Sequence, residues 1–162
     1  MAPWRFDLLR PYRFLGDARR AYGRVDIGNP DDLAYLGDGW YAPEQEGPST
    51  FRWAAARADA FVPLDHAAAL TVQLRLRAFG YAGATAQTVV TTINGHPYGP
   101  VTVGDAWQTI EFATAQENWS SGVNRVRLDF ARAARPTDVG IGSDTRVLAA
   151  AVDYVRVAVR TP

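Results

Sequence analysis

Residues 70–78 alternate strictly: Leu70, Val72, Leu74, Leu76 and Ala78 stand between Thr71, Gln73, Arg75 and Arg77. A period of two puts one set on a buried face and the other in water, which predicts a strand. Val126, Leu128 and Phe130 alternate with Arg125, Arg127 and Asp129 in the same way. The β-branched run 89–93 leads into Asn94-Gly95, a pair favoured in two-residue hairpin turns, and residues 101–103 fit the returning strand. Trp107 opens another alternating run that carries Ile110 and Phe112 on one face, and shorter candidates lie at 24–27, 50–53 and 58–62. The last strand is expected over 147–160. In it Tyr154, Arg156 and Ala158 share one face, and Asp153, Val155, Val157 and Val159 share the other. A carboxylate at the end of an apolar face needs a partner, so Asp153 is expected to be a structural brace, paired with Arg52 or Arg146.

Turn-forming residues separate these runs: Gly28-Asn29-Pro30, Gly37-Asp38-Gly39, Glu46-Gly47-Pro48, and the stretches 80–83, 120–122 and 136–142. Eight or nine short strands with such punctuation fit an all-β, two-sheet antiparallel β-sandwich of the jelly-roll type over residues 24–162. No helical pattern is visible after residue 32, and no fixed-period repeat suggests a propeller or solenoid.

Residues 1–23 read differently. Trp4, Phe6, Leu8, Leu9, Tyr12, Phe14, Leu15 and Tyr22 mix with arginines without a clean period, and Pro11 interrupts any continuous helix. A short helical or irregular N-terminal arm is expected. It either folds back on the sandwich or docks a protein partner or a membrane surface through Trp4, Arg5, Arg10, Arg13, Arg19 and Arg20.

Composition narrows the chemistry. The 162 residues carry 17 basic and 17 acidic side chains, a net charge of zero, and every basic residue is arginine. The first 24 residues hold six arginines against two aspartates, so a basic arm precedes a mildly acidic body, and no nucleic-acid partner is expected. Without cysteine there are no disulfides, thiolate metal sites or cysteine nucleophiles; without lysine there is no Schiff base or Walker lysine. His66 and His96 have no metal-ligand spacing and no nucleophile-elbow motif beside them. No metal and no cofactor is expected, with calcium bound by loop acids and carbonyls the one alternative left open. Asn118-Trp119-Ser120 matches the glycosylation sequon and is read as chance. The start of the chain lacks the order of a secretory signal, and no stretch is long and apolar enough to span a bilayer.

One constellation stands apart. Trp40, Tyr41 and Glu44, followed by Arg52 and Trp53, place three aromatic rings, an acid and an arginine within fifteen positions. Tryptophan and tyrosine offer an apolar face with a polar handle, suited to the apolar faces of sugar rings, and acid and guanidinium groups can meet hydroxyls. The same residues would equally serve as sandwich core and as a carboxylate–guanidinium brace.

The string Gly39-Trp40-Tyr41-Ala42-Pro43-Glu44, then Phe51-Arg52-Trp53, then Asp144-Thr145-Arg146-Val147-Leu148 and residues 151–157 recur in the order seen in a known group. The chain resembles the carbohydrate-binding-like (galactose-binding-like) jelly-roll domains attached to bacterial membrane glycosyltransferases, of Chloroflexota type, over about residues 24–159. Ala149 departs from the glycine common after the last motif. The resemblance implies no catalytic activity and an accessory role beside cell-envelope glycan or glycosyltransferase machinery, with a glycan or glycolipid as ligand. It adds Asp144 and Arg146 to the candidate contacts and suggests an extracytoplasmic location. The alternative is a structural or assembly subunit docked through its arginine-aromatic arm.

Overall fold

The computed structural model describes residues 23–160, so the arm expected over 1–23 lies outside the described residues except for Gly23. Ten strands occur among them: β1 (Arg24–Asp26), β2 (Trp40–Glu46), β3 (Ser49–Ala54), β4 (Arg57–Leu64), β5 (Leu70–Ala78), β6 (Gln87–Ile93), β7 (His96–Val103), β8 (Gln108–Ala113), β9 (Gly122–Phe130) and β10 (Ala150–Val159). The only helical turns there are three short 3-10 segments, at Asp32–Tyr35, Gln116–Asn118 and Pro136–Val139. One antiparallel sheet runs β2-β3-β10-β5-β8, with β1 also paired to β10; the other runs β4-β9-β6-β7. This is the all-β jelly-roll sandwich that the alternation predicts.

The core forms between the sheets. Leu70, Val72, Leu74 and Leu76 of β5, Val155 and Val157 of β10, and Val62, Val89, Val126 and Leu128 of the second sheet are buried in one cluster. Each such side chain removed from water contributes roughly 1.5–3 kcal/mol before conformational entropy is counted. Asn94 (φ 47°) and Gly95 (φ 93°) form the two-residue turn between β6 and β7, and Ile93 pairs with His96 across it. Those positive φ values are why Asn-Gly suits the site.

The strand prolines obey one rule. Pro43 lies in β2, Pro63 in β4, and Pro97 and Pro100 in β7, and all three strands are sheet edges, where a missing N–H costs no ladder bond. Residues 40–46 carry no strand expectation in the sequence, but they form edge strand β2. Pro43 and a register shift between Trp40 and Pro43 hide the period of two there.

The final strand differs from expectation as well. It begins at Ala150 rather than Val147, because Leu148 makes an isolated bridge to Ala134. Register shifts between Val152, opposite Leu76, and Tyr154, opposite Arg75, so Asp153 is the extra residue of a bulge. The bulge reverses the alternation and carries Asp153 to the outer face of the sheet, away from Val155 and Val157. Asp153 is buried and paired, but its partner is Arg75, with neither Arg52 nor Arg146 involved. Arg52 instead pairs with Asp32, and Arg146 with Asp144 and Glu44.

Candidate functional site

The outer face of the β2-β3-β10-β5-β8 sheet carries a second cluster separate from the core: Phe51, Trp53, Phe79, Leu148 and Ala151 are buried, with Tyr41, Tyr81 and Trp107 packed against them. Pleating explains the membership. Phe51 and Trp53 alternate with inward-facing Arg52 and Ala54 on β3, and Arg75 and Arg77 alternate with the core leucines on β5. The rings meet edge to face, Phe51 with Trp53 at 6.1 Å, Phe51 with Trp107 at 5.5 Å and Trp53 with Phe79 at 5.8 Å between centroids. Such contacts add to the area they bury.

Charged side chains lie over this aromatic layer. The Arg77 guanidinium stands 5.2 Å from the Trp107 ring centre, 5.4 Å from Trp53 and 5.8 Å from Phe51. Its Nη2 is 3.2 Å from Glu46 Oε2, while its Nε is buried without a hydrogen-bond acceptor among the described residues. Trp107 Nε1 donates to the same Glu46 oxygen at 3.0 Å. Arg75 lies 4.9 Å from the Trp107 ring centre and donates to Asp153 and, at 3.3 Å, to Ser49 Oγ. Further toward the start of β2, Arg146 lies 5.4 Å from the Tyr41 ring centre. It reaches Glu44 Oε1 at 2.8 Å and grips Asp144 through Nε and Nη2. These bonds hold the Asp144 carboxyl below the usual aspartate range, chiefly through the Arg146 side chain, and the same contact raises Arg146. A carboxylate so held accepts hydrogen bonds and is a poor general acid.

Of the residues expected to contact ligand, Tyr41, Glu44, Asp144 and Arg146 thus form one half-exposed group. The Tyr41 hydroxyl fixes this group to the loop after it, accepting from Val147 N and donating to Val147 O, both at 3.1 Å. The other three lie elsewhere. Trp53 is buried in the aromatic layer. Arg52 is buried against Asp32, donating from Nε at 2.6 Å and Nη2 at 2.8 Å, and its Nη1 meets Tyr41 O at 2.8 Å. Trp40 packs on the main core and donates from Nε1 to Asp59 O at 2.7 Å. Trp107, Glu46, Arg77 and Arg75 join the face without having stood out in the sequence. Trp107 was visible only as the opening of a strand, and the two arginines as its neighbour's wet face.

The chain's fold is that of known carbohydrate-binding modules. A carbohydrate-binding module of Cellvibrio mixtus lichenase 5A, solved with cellotriose, matches with a TM-score of 0.50 at 8% identity, over 87% of this chain and 99% of the module. A ruminal GH26 endo-β-1,4-mannanase matches at 0.52 with 15% identity over 88% of this chain, and an exo-β-1,3-galactanase of Phanerochaete chrysosporium at 0.51 with 13% identity over 85%. The chain spans about a quarter of the mannanase chain (26%) and 30% of the galactanase chain. No protein-family model and no curated protein matches the sequence.

A concavity of about 450 Å³ beside β1 is lined by Arg24, Asp26, Asn29, Asp31, Asp32, Ala34 and Tyr35. Among the described residues no group of three or more His, Asp or Glu side chains is placed to hold a metal ion. No helix among them is long and apolar enough to cross a membrane.

Proposed function

We propose that the protein is a non-catalytic carbohydrate-binding module whose contact surface is the outer face of the sheet that holds β2, β3, β10, β5 and β8. The observation that carries this reading is the half-exposed Trp107 ring beside Glu46, Arg75 and Arg77. In this reading a sugar ring stacks on the indole in place of the Arg75 and Arg77 guanidiniums that lie over it, and these arginines and the Glu46 carboxylate meet its hydroxyls. Tyr41 with Arg146, Glu44 and Asp144 extends the surface, while Trp40, Arg52 and Trp53 serve as its frame. The lichenase module, bound to cellotriose on a related sandwich, supports the ligand class. The test is affinity electrophoresis through gels cast with soluble glucans, mannans, xylans, galactans and acidic polysaccharides. At least one glycan should retard the protein, and Trp107→Ala, with its melting temperature checked, should migrate freely. Retardation of Trp107→Ala equal to wild type would sink the site, and indifference to every glycan would sink the function.

The setting we propose, beside cell-envelope glycan or glycosyltransferase machinery outside the cytoplasm, is supported by the sequence resemblance; fractionation of producing cells tests it. A second reading, a subunit docked through its N-terminal arm, is favoured by the six arginines against two aspartates in the first 24 residues. Deleting residues 1–22 should release the protein from a partner complex or from anionic vesicles if the arm docks. Unchanged association would discard this reading.

A further inference from the structure

We infer that the outer face takes a neutral glycan chain, not an acidic one, and holds it through two similarly built subsites of unequal strength along β2. This inference rests on the carbohydrate-binding reading above and specifies the ligand of the same surface.

The repetition is in the geometry. At one position the set is Trp107, Arg77 and Glu46, with the guanidinium 5.2 Å from the ring centre and 3.2 Å from the carboxylate. At the other it is Tyr41, Arg146 and Glu44, at 5.4 Å and 2.8 Å. Glu44 lies opposite Phe51 and Glu46 opposite Ser49, so the two glutamates share one face of β2. They are two residues apart on one strand, roughly 7 Å along it. Their side chains are 36% and 56% exposed, and the arginine contacts engage Oε1 of Glu44 and Oε2 of Glu46.

Charge decides the ligand class. The two sets, with Arg75 and its partner beside them, hold three arginines, Arg75, Arg77 and Arg146, against four carboxylates, Glu44, Glu46, Asp144 and Asp153, and each of these arginines already faces at least one of them. An incoming uronate or sulfate would have to displace a built-in carboxylate and stand beside another, an arrangement that like charges oppose. A hydroxyl has no such conflict, because it both donates and accepts. Neighbouring hydroxyls of a neutral sugar can give a hydrogen bond to the glutamate and take one from the guanidinium of the same pair, with the ring stacked on the adjoining aromatic residue.

The two sets are not equally free. Arg146 is gripped by two carboxylates and Tyr41 is tied to Val147, whereas Arg77 has the longer ion pair and, among the described residues, an Nε without an acceptor. The Trp107 set is therefore the stronger subsite and the Tyr41 set the extension. A chain engaging both gains from the effective concentration that linkage creates, so affinity should grow with chain length.

The experiment is titration calorimetry of the full chain. Its probes are a monomer-to-hexamer series of the neutral glycan that retards the protein best, alongside oligogalacturonate and heparin. The expected result is at least about tenfold tighter binding of the hexamer than of the monomer, with little dependence on salt and no measurable binding of the acidic probes. Glu44→Gln should bring the hexamer toward the monomer's affinity, as loss of the weaker of two linked subsites requires. Preference for the acidic probes would overturn the neutral assignment and leave the binding-module reading standing. Equal affinity for monomer and hexamer, or a Glu44→Gln variant with unchanged length dependence, would overturn the two subsites. Failure to bind any glycan would remove this inference together with the reading beneath it.

Discussion

Replacing Asp32 by alanine isolates the interaction that holds β3 to the 3-10 turn at Asp32–Tyr35. The Asp32 side chain is fully enclosed and Arg52 is 8% exposed. The carboxylate accepts from Arg52 Nε at 2.6 Å, from Arg52 Nη2 at 2.8 Å and from Gly28 N at 2.6 Å. Truncation leaves a buried guanidinium with the Tyr41 carbonyl as its one remaining partner among the described residues, together with a backbone N–H that has lost its acceptor. Breaking a buried pair from one side costs about 3–5 kcal/mol, because the remaining charge is uncompensated. For a domain of this size that lowers the melting temperature by about 6–20 °C. The double variant Asp32→Leu with Arg52→Met should recover much of the loss, since it removes both charges. Urea unfolding of the wild type, Asp32→Leu, Arg52→Met and the double variant measures the coupling directly. A loss below about 1 kcal/mol for Asp32→Ala would refute the reasoning, because a loss that small is typical of an exposed pair.

Three further outcomes follow from the fold. Gly39→Ala should prevent stable folding, because φ is 92° and an added Cβ would collide with the Arg57 carbonyl oxygen. Gly47→Ala, at φ 58° in open space, should cost only about 1 kcal/mol; equal losses by thermal melting would contradict this. Leu74→Ala, at the centre of the core, should cost about 2–5 kcal/mol in urea, and a loss under 1 kcal/mol would mean the core is misplaced. Burial pushes the Asp59 carboxyl up, but hydrogen bonds and charge from Arg125 and Arg127 outweigh it and leave it lowered. Its folded value lies below the unfolded value of about 3.9. Ionised Asp59 therefore stabilises the fold at neutral pH, and that contribution disappears as pH falls from about 4 through the lowered folded value. Asp59→Asn should flatten the acid limb of melting temperature against pH; a parallel fall in both proteins would show the network contributes nothing.

The strands that bury one face and wet the other were legible because alternation is a local property: β5, β9 and the β6–β7 hairpin stand where the pattern puts them. Edge strand β2 was not, since Pro43 and the shift beside it remove the period that would reveal it. The bulge at Asp153 is invisible for a related reason. Alternation assigns a face only while the register is unbroken, and one extra residue moved this carboxylate to the opposite side and to Arg75. The candidate site was half legible. Tyr41, Glu44, Asp144 and Arg146 meet because β2 and the segment before β10 lie side by side. Trp107, Arg77 and Glu46 come from three separate strand regions, and only the strand order β2-β3-β10-β5-β8 brings them onto one face. Sequence periodicity says which residues face outward; it carries no information on what stands opposite them.

The central claim is that a glycan settles on Trp107. The most direct measurement is a titration of ¹⁵N-labelled protein with the retained neutral oligosaccharide, read at the tryptophan indole N–H signals. Trp107 donates to Glu46 at the proposed surface, whereas Trp40 donates to Asp59 O and Trp119 to Thr114 Oγ1 away from it. The account predicts a saturable shift of the Trp107 signal while those of Trp40 and Trp119 stay in place. Saturable binding that moves Trp40 or Trp119 and leaves Trp107 unmoved would contradict it.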